Sequence, residues 1–194
     1  PWFQAPLIMD KSVIRKEMRR RRRSVSKQQR HNAEFRLSRS LHSHMQFCSA
    51  RRVALYLEND GEIGTGQLIR KLWQRRVQVY LPVLHPFHTG YLTFIEYRPN
   101  TRMRSNRFNI PEPDFRYGRR LQARFLSVIC LPLVAFDKQG NRLGMGGGFY
   151  DRTLSFLQRI NEHKILIGCA WEFQSVATLP ADSWDIPLSA IATN

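Results

Sequence analysis

Apolar residues along this chain follow two rhythms. Near the N-terminus they fall three and four apart: Val13, Ile14 and Met18 within Asp10–Arg23, then Phe35, Leu37, Leu41 and Met45 after Ser26. That is the spacing of one helix face. Asp10 and Ser26 stand before the two segments and are good N-cap types, so the pattern predicts a helix over 10–23 and another from Ser26 to about Phe47. From Arg52 the rhythm changes. Arg52–Leu57, Val77–Val83, Ser127–Phe136 and Lys164–Ala170 are nearly continuous apolar runs and read as buried strands. Tyr91–Tyr97 alternates, as a half-exposed strand does, and Ser189–Thr193 reads as a last short strand. Thr65–Arg76 and Phe149–Ile160 read as helices. Strand, helix and strand between Arg52 and Val83 predict parallel pairing. Arg98–Arg120 is long and irregular, and a loop of that length is usually functional or mobile. Leu179–Pro187 is a polar connection. With no internal repeat and no linker, the expected fold is α/β: a single-domain, open, mainly parallel sheet flanked by helices, with a basic N-terminal helical segment. The domain is expected over 10–194. Residues 1–9 read as an N-terminal extension, because Met9-Asp10-Lys11 resembles a natural start.

Composition narrows the class. Hydrophobic content of 42% with 24% charged residues is globular and excludes a disordered chain. No apolar run approaches membrane-spanning length, and there is no signal-peptide pattern. Cys48, Cys130 and Cys169 are odd in number and widely spaced, which argues against a disulfide framework or zinc site. They are expected to be buried small hydrophobes in a reducing, cytoplasmic protein. His31, His42 and His44 lie among polar residues and read as surface histidines. The net charge is +16, and residues 1–52 carry most of it, with 14 Lys and Arg against 3 Asp and Glu. Arg19–Arg23 is an unbroken arginine run. It reads as a solvated helix face, as an attractor of polyanionic substrates, or as a nucleic-acid contact. For nucleic acid, no recognised motif is present and no aromatic residues interleave with the arginines.

Chemistry concentrates after the buried run at 127–136. A turn at Asp137–Gly140 leads to Arg142 and then Gly144, Gly146, Gly147 and Gly148, followed by the helix from Phe149. Strand, glycine loop and helix in that order suit an anion, because glycines let backbone N–H groups approach phosphate oxygens. Arg142 adds a bidentate fork and Asp151 an oxygen ligand for a divalent metal. Neither common nucleotide fingerprint fits. A dinucleotide motif from Gly144 would need glycine at Phe149, and the glycines at 61 and 66 are followed by Gln67-Leu68 rather than Lys and Ser or Thr. Glu58-Asn-Asp-Gly-Glu62 places three carboxylates after the first strand, where open α/β sheets hold ligands. No Ser-His-Asp or Cys-His arrangement stands out, so positioning and charge neutralisation are favoured over a protein nucleophile.

Leu131-Pro-Leu-Val-Ala-Phe-Asp137 followed by Arg142-Leu-Gly-Met-Gly-Gly-Gly-Phe-Tyr-Asp-Arg152 resembles the signature of the 5-formyltetrahydrofolate cyclo-ligases (5,10-methenyltetrahydrofolate synthetases). The resemblance extends over nearly the whole chain from Asp10. Lys11-Ser-Val-Ile-Arg15, Tyr56–Glu62, Asn109–Pro113 and Trp184-Asp-Ile-Pro187 are similar to further family segments. By this resemblance, ATP is bound by Lys11, Arg15, Arg142, Leu143, Gly144, Met145, Gly146, Gly147, Gly148, Phe149 and Tyr150. The folate is contacted by Leu57, Glu62, Met145, Gly146, Gly147, Gly148 and Phe149, and Mg²⁺ is held by Asp151 and Asp185. Arg142, Lys11 and Arg15 are the implied catalytic cations. The implied reaction is ATP- and Mg-dependent cyclisation of 5-formyltetrahydrofolate, free or polyglutamylated, to 5,10-methenyltetrahydrofolate with release of ADP and phosphate. The formyl oxygen is phosphorylated, N10 attacks and phosphate leaves. The chain departs from the family pattern at Gly147, where some members carry lysine, at Phe149, where tyrosine is common, and at Ser189, where aspartate is frequent. Two other readings stay open: a nucleic-acid-binding protein built on Arg19–Arg23, and a different ATP-dependent kinase or ligase on the same scaffold.

Overall fold

The computed structural model describes residues 10–43, 49–158 and 164–194. The extension expected at 1–9, together with His44, Met45, Phe47, Cys48 and Arg159–Ile160, lies outside them. Helices α1 (Lys11–Ser24) and α2 (Lys27–Ser43) open the described chain. Asp10 caps α1, its carboxylate accepting from Ser12 N at 2.8 Å. Ser26 and Gln29 cap α2 reciprocally: Ser26 Oγ accepts from Gln29 N at 3.2 Å and Gln29 Oε1 from Ser26 N at 3.0 Å. Next come β1 (Arg52–Ala54), α3 (Gly66–Gln74), β2 (Gln78–Leu84), β3 (Leu92–Glu96), β4 (Met103–Ser105), β5 (Pro111–Pro113) and β6 (Arg120–Leu121). The remainder is β7 (Val128–Pro132), β8 (Ala135–Phe136), β9 (Arg142–Leu143), α4 (Phe149–Leu154), β10 (Ile165–Ala170) and β11 (Ala190–Thr193).

Seven strands form one sheet in the order β11-β10-β7-β1-β2-β3-β6. The five from β11 to β2 are parallel, and β3 and β6 add an antiparallel edge. Period-two alternation sends two apolar sets to opposite faces. Val53, Leu55, Val79, Leu81, Val128, Cys130, Ile167 and Cys169 pack with Leu37 and Leu41 of α2 and Leu68 and Leu72 of α3. Ala54, Tyr80, Phe94, Ile129, Leu131 and Leu166 pack on the other face with Leu154 of α4 and Ile186. Each fully buried Leu, Ile or Val contributes on the order of 1.5–3 kcal/mol. Cys130 and Cys169 are buried free thiols, as small hydrophobes would be. Among the described residues, no helix is long and apolar enough to cross a membrane.

The structure corrects four readings. Phe35 is half exposed under the Lys71 ammonium, while Ala33, Leu37 and Leu41 form the inner face of α2. Arg98–Arg120 is not irregular throughout. It holds the β4–β5 hairpin and β6 at the sheet edge, carried by inter-strand bonds that no apolar rhythm announces. The run 127–136 is not one strand, since the chain leaves the sheet after Pro132 and Ala135–Phe136 pairs instead with Arg142–Leu143. Finally, α4 stops at Leu154 and passes into a 3₁₀ turn over Ser155–Gln158. His31 is exposed as expected, whereas His42 is half-buried.

Candidate active site

The order of strands reverses between β1 and β7: β2 lies on one side of β1, while β10 and β11 continue beyond β7. Ligands in open α/β sheets bind outside the carboxyl ends of strands at such a point. A cavity of about 630 Å³ lies there, with Tyr56 and Leu57 after β1, Leu81, Pro82 and Leu84 of β2, and Pro132 and Leu133 at the end of β7 on its walls. That volume suits one organic ligand. Three further segments close it: the loop Asn59–Glu62, the glycine loop with Arg142 and Gly144–Asp151, and the β4–β5 hairpin with Asn106, Phe108, Ile110 and Glu112. Phe108 meets Phe149 edge to face, with centroids 6.0 Å apart, so the hairpin reaches across to the glycine loop. Glu112, 2% exposed, accepts from Leu84 N at 3.1 Å, Asn106 Nδ2 at 3.1 Å and Arg104 Nη2 at 3.1 Å, which fixes the hairpin to β2.

The glycine loop is built on the β8–β9 ribbon. Ile14 and Met18 of α1 bury against Val134, Ala135 and Leu143 of that ribbon. This packing brings Arg15 to the loop, where its Nε donates to Gly144 O at 2.9 Å, and its guanidinium lies against Gly146. Gly148 has φ of 62° at the start of α4, a left-handed conformation that glycine adopts without cost. Arg152 donates to Gly147 O and, at 2.9 Å, to Gly90 O, tying the loop to the β2–β3 connection. Asp137, the last residue of the first signature run, is structural. Fully buried, it accepts from Gln139 N, Asn141 N, Asn141 Nδ2 and Leu179 N, shaping the turn that returns the chain to Arg142.

Charges in and beside the site are matched by opposite charges. The Arg142 side chain, 5% exposed, donates through Nη2 to Asp151 Oδ1, which also accepts from Ile186 N at 3.3 Å. Arg142 Nε is buried without a hydrogen-bond partner among the described residues. Lys11 Nζ pairs with Asp182 at 2.7 Å, and Asp185 Oδ2 accepts from Asp182 N at 2.9 Å. Glu62 is held by Asn59 N at 3.0 Å with the Arg22 guanidinium 3.9 Å away. Burial pushes its carboxyl up to about 7, against the opposing pull of Arg22. Asp60 receives Arg19 at 2.6 Å, Arg23 at 2.6 Å and Arg22 at 3.2 Å. Burial raises Asp60, but these arginines outweigh it and hold the carboxyl below its usual range.

The 5-formyltetrahydrofolate cyclo-ligase family model matches residues 8–194. The chain belongs to this family. It is 46% identical over 175 residues to the 5-formyltetrahydrofolate cyclo-ligase of Haemophilus influenzae, covering 90% of this chain and 92% of that one. It is 42% identical over 176 residues to the Escherichia coli cyclo-ligase, covering 91% of this chain and 96% of the relative. The Aquifex aeolicus 5,10-methenyltetrahydrofolate synthetase structure superposes with a TM-score of 0.78 at 30% identity, covering 95% of this chain and 89% of that one. The Mycoplasma pneumoniae synthetase, at 22% identity and TM-score 0.75, shares the fold.

The cyclo-ligase cavity gathers much of the predicted set. Leu57, Glu62, Arg142, Gly144, Met145, Gly147, Gly148, Phe149, Tyr150 and Asp151 all line it. Leu143 does not; it is buried 4% exposed in the α1 interface. Lys11, Arg15 and Gly146 lie outside the lining, on the α1 side of the glycine loop. Asp185 also lies outside it, one residue from the Asp151–Ile186 contact. Sequence reasoning missed the cavity positions of Arg19, Arg22 and the hairpin residues Asn106 and Phe108, whereas Asp60 belongs to the carboxylate turn that it placed at a ligand-binding strand end. Only Asn109–Pro113 carried a signal for that hairpin. The five arginines do not form a free arm: Arg19, Arg22 and Arg23 converge on Asp60, and Arg20 and Arg21 share Glu17.

Proposed function

We propose that this chain closes 5-formyltetrahydrofolate to 5,10-methenyltetrahydrofolate at the cost of ATP. The observation that carries the reading is one cavity lined by both the glycine loop and the Leu57–Glu62 segment. The lining combines apolar residues for a flat heterocycle with carboxylate and arginine groups for its polar edge and for phosphates. The carbonyl oxygen of the formyl group carried on N5 is a poor leaving group. In the reaction it attacks the γ-phosphorus of ATP, and ADP departs. N10 then attacks the activated formyl carbon, the C–O bond breaks with release of phosphate, and the N10 proton is lost. Backbone N–H groups of Gly144–Gly148 and the Arg142 guanidinium in the lining are donors suited to phosphate oxygens. Arg15 supplies further positive charge behind the loop, and Lys11 pairs with Asp182.

The donor set fits Mg²⁺. Asp151 and Asp185 offer hard carboxylate oxygens in adjoining segments, and Mg²⁺ is commonly held by one or two carboxylates with water and substrate phosphates. Among the described residues no group of three or more His, Cys, Asp or Glu could hold an ion by itself. When bound, the ion would neutralise charge on the transferring phosphoryl group. Arg142 and Asp151 now satisfy each other, so nucleotide and metal would replace each partner with a ligand of the same sign.

The test is absorbance at the methenyl-folate band after mixing protein, Mg-ATP and 5-formyltetrahydrofolate. Growth that requires ATP supports the reading. A phosphorylated acceptor without ring closure would replace it with a kinase. Asp151→Asn should lower turnover by roughly a hundredfold or more, and it should also lower the urea midpoint, because the nearly buried Arg142 guanidinium loses its carboxylate.

A further inference from the structure

We propose that Arg22 is a positioning residue of the substrate site, its guanidinium holding the Glu62 carboxylate in the cavity wall as a charged acceptor for N–H donors of the bound heterocycle. The inference rests on the folate reading for the identity of that heterocycle, a pterin whose amino and ring N–H groups form an adjacent donor pair.

Arg22 is the largest fully buried side chain of the described residues, 1% exposed, and it lines the cavity together with Glu62, Asp60 and Leu133. An arginine is rarely so buried without paired partners. Its Nη2 donates to Asp60 at 3.2 Å and its Nη1 lies 3.4 Å from Leu133 O and 3.9 Å from Glu62. Its Nε has no partner among the described residues. The loop lies flush on the same residue of α1. A Cβ at Gly61 would stand 2.8 Å from Arg22 O, and Gly61 itself has φ of 75°. A turn closes the loop, with Glu62 N donating to Asn59 O at 3.0 Å and Asn59 N donating to Glu62 Oε2 at 3.0 Å. Glu62 thus has one oxygen spoken for by backbone, the other nearest Arg22.

The groups acting on Glu62 are Arg22, Asp60, Glu58, Tyr56 and Tyr150. Arg22 is the cation among them, and it opposes burial and the two neighbouring carboxylates. Arg19 and Arg23 cannot substitute. They reach Asp60 only, and their side chains are 40% and 61% exposed. A buried carboxylate without its cation takes up a proton, and a protonated acid loses its capacity to accept two N–H bonds.

The experiment has two readouts on the full chain. One is the dissociation constant of 5-formyltetrahydrofolate, without ATP, across the neutral pH range. The other is the ¹³C titration of the Glu62 carboxyl, which needs no ligand. Arg22→Gln should weaken folate binding about tenfold at neutral pH, with kcat changed by less than about threefold. The carboxyl midpoint should rise by about one pH unit. In a Glu62→Gln background the same substitution should add less than about twofold. Arg23→Gln should leave both readouts unchanged. Equal weakening in the two backgrounds, or an unmoved midpoint, would overturn the proposal. Should Arg22→Gln not fold, Arg22→Lys decides: it keeps the cation, so a midpoint and folate binding near wild type support the proposal, and a raised midpoint with folate binding as tight as wild type would sink it. If wild-type protein fails to bind folate, the functional reading falls. The carboxyl titration then judges Arg22 alone, a raised midpoint supporting the proposal and an unmoved one ending it.

Discussion

At the scale of single residues, the site stores cost where it needs chemistry. Glu62 titrates near 7 because burial disfavours its charge, whereas the unfolded chain exposes it to water at about 4.5. A carboxyl raised on folding contributes its stability below the unfolded value and loses it as pH rises through the folded one. Glu62→Gln is therefore expected to match wild-type stability near pH 4.5. It should become more stable above pH 7, by up to about 3 kcal/mol, while losing folate affinity. Denaturant melts at the two pH values, set beside binding, check this. Arg142→Lys keeps the charge but discards the planar fork that holds Asp151 and carries the orphan Nε. It should lower kcat/KM by roughly tenfold to a hundredfold with unfolding hardly changed.

At the scale of elements, the glycine loop is a suspension between three anchors: the β8–β9 ribbon, Arg15 of α1, and Arg152 of α4. Gly148→Ala forces an L residue to φ of 62° and sets its Cβ 2.8 Å from Arg152 Nη1. The strain is about 1–2 kcal/mol. Turnover should fall further than stability, because relieving the strain moves the loop; kcat and the urea midpoint measured together separate the two. The sequence announced this loop by four closely spaced glycines and the segments around it by their apolar runs. It did not announce the ribbon beneath the loop. Ala135-Phe136 and Arg142-Leu143 are too short for a period, and their pairing depends on a turn that Asp137 shapes by accepting four donors, one of them Leu179 N.

At the scale of the whole molecule, α1 joins the N-terminus to both halves of the site, through Ile14 and Met18 under the glycine loop and through Arg19, Arg22 and Arg23 on Asp60. Asp60→Ala should strip three arginines of their shared partner. About 1–3 kcal/mol should be lost, and amide exchange should accelerate over Lys11–Ser24. The Asp60 carboxyl is held below its usual range, so its contribution is present at neutral pH and lost as pH falls through the folded value. The wild-type advantage over the variant should shrink in acid. By itself, the sequence determined the parallel core, the capped helices, the signature loop and the family, because each is written in local periodicity or in a contiguous run of residue types. Only the tertiary structure decided that Arg19 and Arg22 of the arginine run line the cavity, and that a hairpin from an irregular-looking segment completes it. Those outcomes depend on partners 28 to 111 residues away in sequence, such as Leu84 for Glu112 and Leu133 for Arg22. No local pattern encodes a contact at that range; burial and charge pairing select it once the sheet has formed.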